Sequence, residues 1–143
     1  MILLDTNVVS ELLRPIPDPQ VEAWLAAQDG ATIWFTAVGE AELRYGVAIL
    51  PEGRRRRAIA HVIEEILEKD FRGRILPFDS AAAKAYAAIA AERKGVGHPI
   101  SQFDCQIAAI ARIHRAAVAT HNQRDFDGCG IVVIDPWEKR KER

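Results

Sequence analysis

The sequence predicts an α/β protein, an α/β/α sandwich with a central parallel sheet formed by residues 1–143 as one domain. Three observations predict it. Short apolar runs alternate with longer helical segments along the whole chain, the pattern of parallel strands covered by helices on both faces. The apolar content within each run is nearly continuous, as in strands buried on two sides. Asp5 and Asp125 fall just past two of these runs, at the carboxyl edge where open parallel sheets bind ligands. A length of 143 residues suits one compact domain.

Residues 2–5 predict a short buried strand. Asp5 or Thr6 can cap a helix to about Arg14, with Val8, Val9, Leu12 and Leu13 on its inner side, until Pro15 and Pro17 break it. Asp18 restarts a helix with Pro19 in its first turn. Val21, Trp24 and Leu25 line it, and Asp29-Gly30 ends it. Residues 32–36, rich in β-branched and aromatic side chains, predict a second strand. Helices follow over about 38–50 and 52–69, separated by Pro51. Ile75-Leu76 is a short third strand. Asp79-Ser80 caps an Ala-rich helix to about Lys94, stopped by Gly95 and Gly97 with Pro99 beyond. Ser101 caps the next helix, 102–114, and the last strands are 116–120 and 131–134. No repeat or linker interrupts the series.

Composition narrows the function classes. The chain is 49% hydrophobic and 27% charged with a formal net charge of −1, so no overall basic excess marks a nucleic-acid binder, and any polyanion must be met locally or through metal. Cys105 and Cys129 form no CxxC or Cys/His zinc pattern. Their sparseness fits a reduced, cytoplasmic setting. No apolar stretch is long enough to span a bilayer, and the strand-like start with Asp5 and no basic region does not fit a signal peptide.

Four carboxylates carry the chemistry: Asp5, Glu42, Asp104 and Asp125. Clustered acids repel one another, and a divalent metal is the usual remedy. Each also has a plainer reading. Asp5 can be a helix cap, although Thr6 can cap equally well. Glu42 competes with Glu40, because positions two apart on a helix point in nearly opposite directions. Glu40 is spaced to pair with Arg44, whereas Glu42 shares a face with Tyr45, Gly46 and Ile49, taken as the inward side. Asp104 completes a capping-box pattern with Ser101, yet a first-turn carboxylate is also held anionic by the helix N-terminus. Asp125 and Asp127 are both loop acids, but Phe126 can anchor Asp125 against the core. Thr120 and Asn122 add a hydroxyl and an amide at the same edge. His121 lies beside the acids, while His61, His98 and His114 read as structural. Arg54 to Arg57 and the tail Lys139–Arg143 read as solvated charge.

These residues resemble a known family. Met1 to Asn7 is similar to the opening motif of PIN-domain ribonucleases, Ala41 to Gly46 to their second acidic motif, Asp104 with Ile107-Ala108-Ala109 to the third, and Thr120 to Phe126 to the fourth. Asp135-Pro136-Trp137 resembles the usual ending. The match spans the chain in order. With Arg74 to Asp79, it looks most like the VapC/FitB-type toxins of bacterial type II toxin–antitoxin systems. The resemblance departs at two positions: His121 stands where many members carry Arg, and Glu40 adds an acid where a neutral residue is usual.

The resemblance implies a Mg²⁺-dependent endoribonuclease, with Mn²⁺ as the alternative ion, held silent by a cognate antitoxin. Asp5 and Asp104 are expected as direct metal ligands. Glu42 and Asp125 are expected to bind a second ion or hold water on the first, with Thr6 and Asn122 positioning water or carboxylates. The expected partners are RNA, the antitoxin and a second copy of the chain, with DNA reached only through the antitoxin. The apolar surplus at Val9, Leu12, Leu13, Trp24 and Leu25 also points to a contact surface. The rival from another class is a catalytically inactive PIN-like module that only binds RNA or protein, against which the four retained acids argue. An Asp-nucleophile phosphatase would need a second Asp two residues after the first, where this chain has Asn7.

Overall fold

In the computed structural model, which describes residues 1–139, strands β1 (Ile2–Leu4), β2 (Ile33–Thr36), β3 (Ile75–Leu76), β4 (Ala117–Ala119) and β5 (Val133–Ile134) run parallel in the order β3-β2-β1-β4-β5. Arg140 to Arg143, most of the tail expected to be solvated, lie outside the described residues. The central strand is β1, with Leu3 opposite Trp34 on one side and Val118 on the other. The chain moves outward from β1 through β2 to β3, then crosses back to β4 on the far side of β1. The direction of progression therefore reverses between β1 and β4, which makes the crevice past their carboxyl ends the expected ligand site.

The helices are α1 (Thr6–Leu12), α2 (Pro19–Ala26), α3 (Ala37–Ala48), α4 (Arg54–Glu65), α5 (Ser80–Gly95) and α6 (Gln102–His114). Successive strand residues point to opposite faces. Leu3, Trp34 and Val118 accordingly pack with Ala82 and Ile89 of α5 and Ile107, Ala108 and Ile110 of α6. Leu4, Ile33 and Phe35 pack on the other face with Val8, Val21, Leu43 and Ile63 of α1 to α4. Gly39 lets α3 lie directly on this layer, because a Cβ there would sit 2.6 Å from the Phe35 ring.

Two local expectations are corrected. The helix expected from residue 52 begins at Arg54 after Gly53, and its last turn, Ile66–Asp70, is a π-helix. The wider turn closes with the Phe71 N–H donating to the Ile66 carbonyl at 3.0 Å. Leu67 and Phe71 are both buried, and Phe71 stacks on Phe35 with centroids 5.3 Å apart. Tyr45 and Ile49 are not inward but 68% and 63% exposed, since Val38, Gly39 and Leu43 form the buried face of α3. Val9 is buried, and Leu12, Leu13, Trp24 and Leu25 are partly buried against the same core. They pack on the domain's own core, and Leu12 and Leu25 also line an open, largely apolar cleft. Among the described residues no helix is long and apolar enough to cross a membrane.

Candidate active site

Asp5 is built by the central strand. Its backbone N–H donates to the Ala119 carbonyl at 2.9 Å, so the sheet ladder places it before any side-chain contact does. It is also the N-cap of α1, with extended backbone (φ −69°, ψ 154°) and Oδ1 accepting from the Thr6 N–H at 2.8 Å. Oδ2 accepts from the Thr120 hydroxyl at 2.8 Å and from Asn7 Nδ2 at 3.3 Å. The same carboxylate thus caps α1 and faces the edge of the sheet, and Thr6 does not replace it as the cap. Asp5 is only 6% exposed. Burial pushes its carboxyl up to about 6, against the pull of the Thr120 and Thr6 hydrogen bonds, and the charges of Asp104 and Glu42 push it further.

The Thr120 hydroxyl is fully used. It donates to Asp5 and accepts from Asn7 Nδ2 at 3.2 Å and from the Asn122 N–H at 3.0 Å. Thr6, free of capping, donates its hydroxyl to Glu42 Oε1 at 3.0 Å. That contact assigns Glu42 to the site. Glu40 instead accepts from Arg44 Nε at 2.8 Å, as its spacing predicts. Glu42 is half-buried, and desolvation raises its proton affinity, with the Thr6 bond opposing and Asp104 adding to the rise.

Asp104 occupies the first turn of α6, and its N–H donates to the Ser101 hydroxyl at 3.2 Å. Its carboxyl is half-buried. Desolvation raises its proton affinity, Ser101 lowers it, Asp125 raises it and Arg93 lowers it. Asp125 lies in a 3-10 turn, Gln123–Phe126, past β4; its side chain is exposed, while the neighbouring Phe126 is fully buried. Asn122 is exposed and contributes its backbone N–H rather than its amide. The His121 ring packs on Trp137 at 4.3 Å, with Nδ1 3.6 Å from Asp135. The other three histidines are exposed, as is most of the Arg54 to Arg57 run.

The structure thus brings the four acids to one edge, coupled by mutual repulsion. Among the described residues none of the four has a Lys or Arg ion-pair partner, and no three acid, His or Cys side chains converge as a ready metal cage. The site is an open edge. A larger cleft of about 660 Å³ lies elsewhere, between α1, α2 and the π turn, and is lined mostly by apolar residues such as Val9, Leu12 and Phe71. Sequence reasoning missed Asn7, whose amide ties Asp5 to Thr120, and Arg93, which is buried behind Asp125. Asn7 had a signal in its place two residues after Asp5. Arg93 had none, lying on an Ala-rich helix among other charged residues.

A parallel sheet with this order and acids from four separate segments at its switch point defines a class. The chain belongs to the PIN domain family, whose pattern matches residues 2–129. Within that family it is 42% identical over 138 residues to the VapC ribonuclease Y4jK of Sinorhizobium fredii, covering 96% of this chain and 99% of that protein. It is also 42% identical over 137 residues to the toxin FitB of Neisseria gonorrhoeae, covering 96% and 99%. The fold superposes on the solved FitAB complex bound to an IR36 DNA fragment with a TM-score of 0.94, at 39% identity over the whole of both chains. It superposes on FitAcB from Neisseria gonorrhoeae with a TM-score of 0.92, at 41% identity over 97% of this chain and 100% of that one.

Proposed function

We propose that this protein is a Mg²⁺-dependent endoribonuclease toxin that cleaves RNA phosphodiester bonds and is neutralised by a cognate antitoxin. One observation carries the reading. Asp5, Glu42, Asp104 and Asp125 meet at the switch point of the sheet with no protein cation paired to them among the described residues. The donor set is all oxygen, which suits Mg²⁺ or Mn²⁺. Mg²⁺ binds through one or two carboxylates and keeps several waters, so it needs no preformed three-ligand cage. Asp5 and Asp104 would hold it, with Glu42 and Asp125 serving its waters or a second ion. When bound, the cation activates water and neutralises phosphate charge.

The chain's own residues supply the rest. Thr120 and Asn7 fix the orientation of Asp5. Thr6 holds Glu42 Oε1, leaving Oε2 to take a proton from the attacking water. Asn122 acts through its backbone N–H, which helps fix the Thr120 hydroxyl that orients Asp5. An open edge admits a polymer that an enclosed pocket would exclude. The names of the relatives, VapC ribonuclease and toxin FitB, support the nuclease reading. Solved relatives are toxin–antitoxin complexes, some on DNA, which supports an antitoxin partner and DNA reached through it. Homodimerisation is part of the proposal. Tyr45 and Ile49, exposed one helical turn apart, and the apolar cleft lined by Leu12 and Leu25 are its candidate contact surfaces.

Chelator-stripped protein should leave RNA intact, cleave it when Mg²⁺ or Mn²⁺ is restored, and lose cleavage in Asp5→Asn. Cleavage that ignores chelation or survives Asp5→Asn rejects the assignment. RNA retention without cleavage at any metal concentration favours the binding module.

A further inference from the structure

We infer that Arg93 is a positioning residue of the acidic site: its buried guanidinium clamps the loop carrying Asp125 to the segment that leads into Asp104. The inference rests on the nuclease reading above. Arg93 lies near the end of α5 and is only 7% exposed. Its Nε donates to the His98 carbonyl at 2.6 Å, and its Nη1 donates to the carbonyls of Asp125 at 3.0 Å and Asp127 at 2.6 Å. Nη1 also approaches Cys129 Sγ at 3.7 Å.

Among the described residues Arg93 has no carboxylate at ion-pair distance. Burying a guanidinium is expensive unless its donors are satisfied, and well-packed apolar residues often replace buried charge at no loss of stability. Stability alone is therefore a weak reason for an Arg here. What the side chain does instead is geometric. His98 belongs to the connection that runs into Ser101 and the first turn of α6, where Asp104 sits. Asp125 and Asp127 belong to the loop after β4, whose backbone passes through left-handed Gly128 (φ 72°) and Gly130 (φ 74°) and makes no ladder bonds between Asn122 and Ile131. Apart from buried Phe126 and Cys129, the Arg93 fork is what anchors this loop from behind. A planar guanidinium suits the task, since its donors hold several acceptors in fixed relative positions. Its positive charge also acts on Asp104, whose proton affinity it lowers.

The test uses the full chain with Arg93→Met, which preserves bulk, and Arg93→Lys, which preserves charge without the fork. Three readouts are taken: hydrogen exchange, Mn²⁺ affinity by calorimetry, and kcat and KM on RNA. In Arg93→Met we expect faster exchange confined to residues 97–104 and 122–129. Mn²⁺ affinity or kcat should fall roughly 10- to 100-fold, as when partners of metal ligands are removed, with KM for RNA changed by less than about twofold. Arg93→Lys should recover part of the loss. In an Asp125→Asn background, Arg93→Met should cost less than it does in the wild type, because the part of its effect that passes through Asp125 is already lost. A folded Arg93→Met with wild-type kcat and Mn²⁺ affinity would overturn the inference, as would losses that multiply in the double variant or exchange that accelerates throughout the molecule. If Arg93→Met does not fold, Arg93→Lys carries the same comparison. If the wild type neither binds Mn²⁺ nor cleaves RNA, the nuclease reading falls, and the exchange pattern still decides whether Arg93 holds the loop.

Discussion

Asp5 and Asp125 occupy the two sides of the same crevice and are held in opposite ways. Asp5 continues a central strand, is 6% exposed, and accepts three hydrogen bonds through its carboxylate. Asp125 sits in a short turn with an exposed side chain, and only its backbone carbonyl is gripped, by Arg93. The sheet sets the geometry of the first, and a side chain from a distant helix sets that of the second. The electrostatic cost is uneven as well. Burial of Asp5 penalises its charged form, whereas Asp125 stays in water. An acid can thus be held at a site either as a buried, preorganised anchor or as an exposed, externally braced arm, and the two should respond differently to substitution and pH.

The largest expected effect comes from removing the charge at each side. Asp5→Asn and Asp125→Asn should both lower RNA cleavage by more than about 100-fold, beyond the usual loss for a supporting residue. Their stabilities should diverge. The Asp5 carboxyl is raised from 3.8 to about 6 in the fold. Its contribution to metal-free stability is therefore fully present below about pH 4 and lost as pH rises through about 6. The linked free energy is at most about 3 kcal/mol. Thermal melts in chelator should show the wild type more stable near pH 5 than pH 7.5. Asp5→Asn should flatten that dependence and gain roughly 1–3 kcal/mol at pH 7.5, while Asp125→Asn should stay within about 0.5 kcal/mol of wild type. Equal stability changes at the two positions would remove the distinction.

Thr120→Val sharpens the buried side. It keeps the shape of the side chain but removes a hydroxyl with three partners. The expected cost is about 1–3 kcal/mol for the groups left unpaired, with roughly 10- to 100-fold lower activity. Because the Thr120 bond pulls the proton affinity of Asp5 down, its loss should move the acid limb of the pH–kcat/KM profile to higher pH. An unmoved limb would mean that Asp5 does not govern it.

The smallest effect is expected at Glu40, which sets it apart from Glu42 on the same helix α3. Glu42→Gln should lose most activity, since Glu42 is the one oriented into the site by Thr6. Glu40→Gln breaks an exposed i,i+4 pair with Arg44 and should cost only about 0.3–0.5 kcal/mol with little change in cleavage. Comparable activity losses would contradict the Thr6–Glu42 orientation.

The chain by itself determined the alternation of elements, the parallel sheet, most helix boundaries and the placement of Asp5 and Asp125 just past strand ends. Apolar periodicity, proline placement and capping are local properties, and right-handed parallel connections leave few ways to arrange such a series. The Glu40–Arg44 pair was legible for the same reason, being one turn of one helix. Exposure was not legible in the same way: Tyr45 and Ile49 looked inward but face solvent, because a sequence shows that a residue is apolar but not which face its neighbours cover. The bracing of the site was decided only in three dimensions. Thr6 meets Glu42 across 36 positions, Asn7 meets Thr120 across 113, and Arg93 meets the Asp125 loop across 32. Such contacts leave no periodic trace along the chain, since they exist only once packing has brought separate segments within hydrogen-bond range and excluded the water that would otherwise satisfy them.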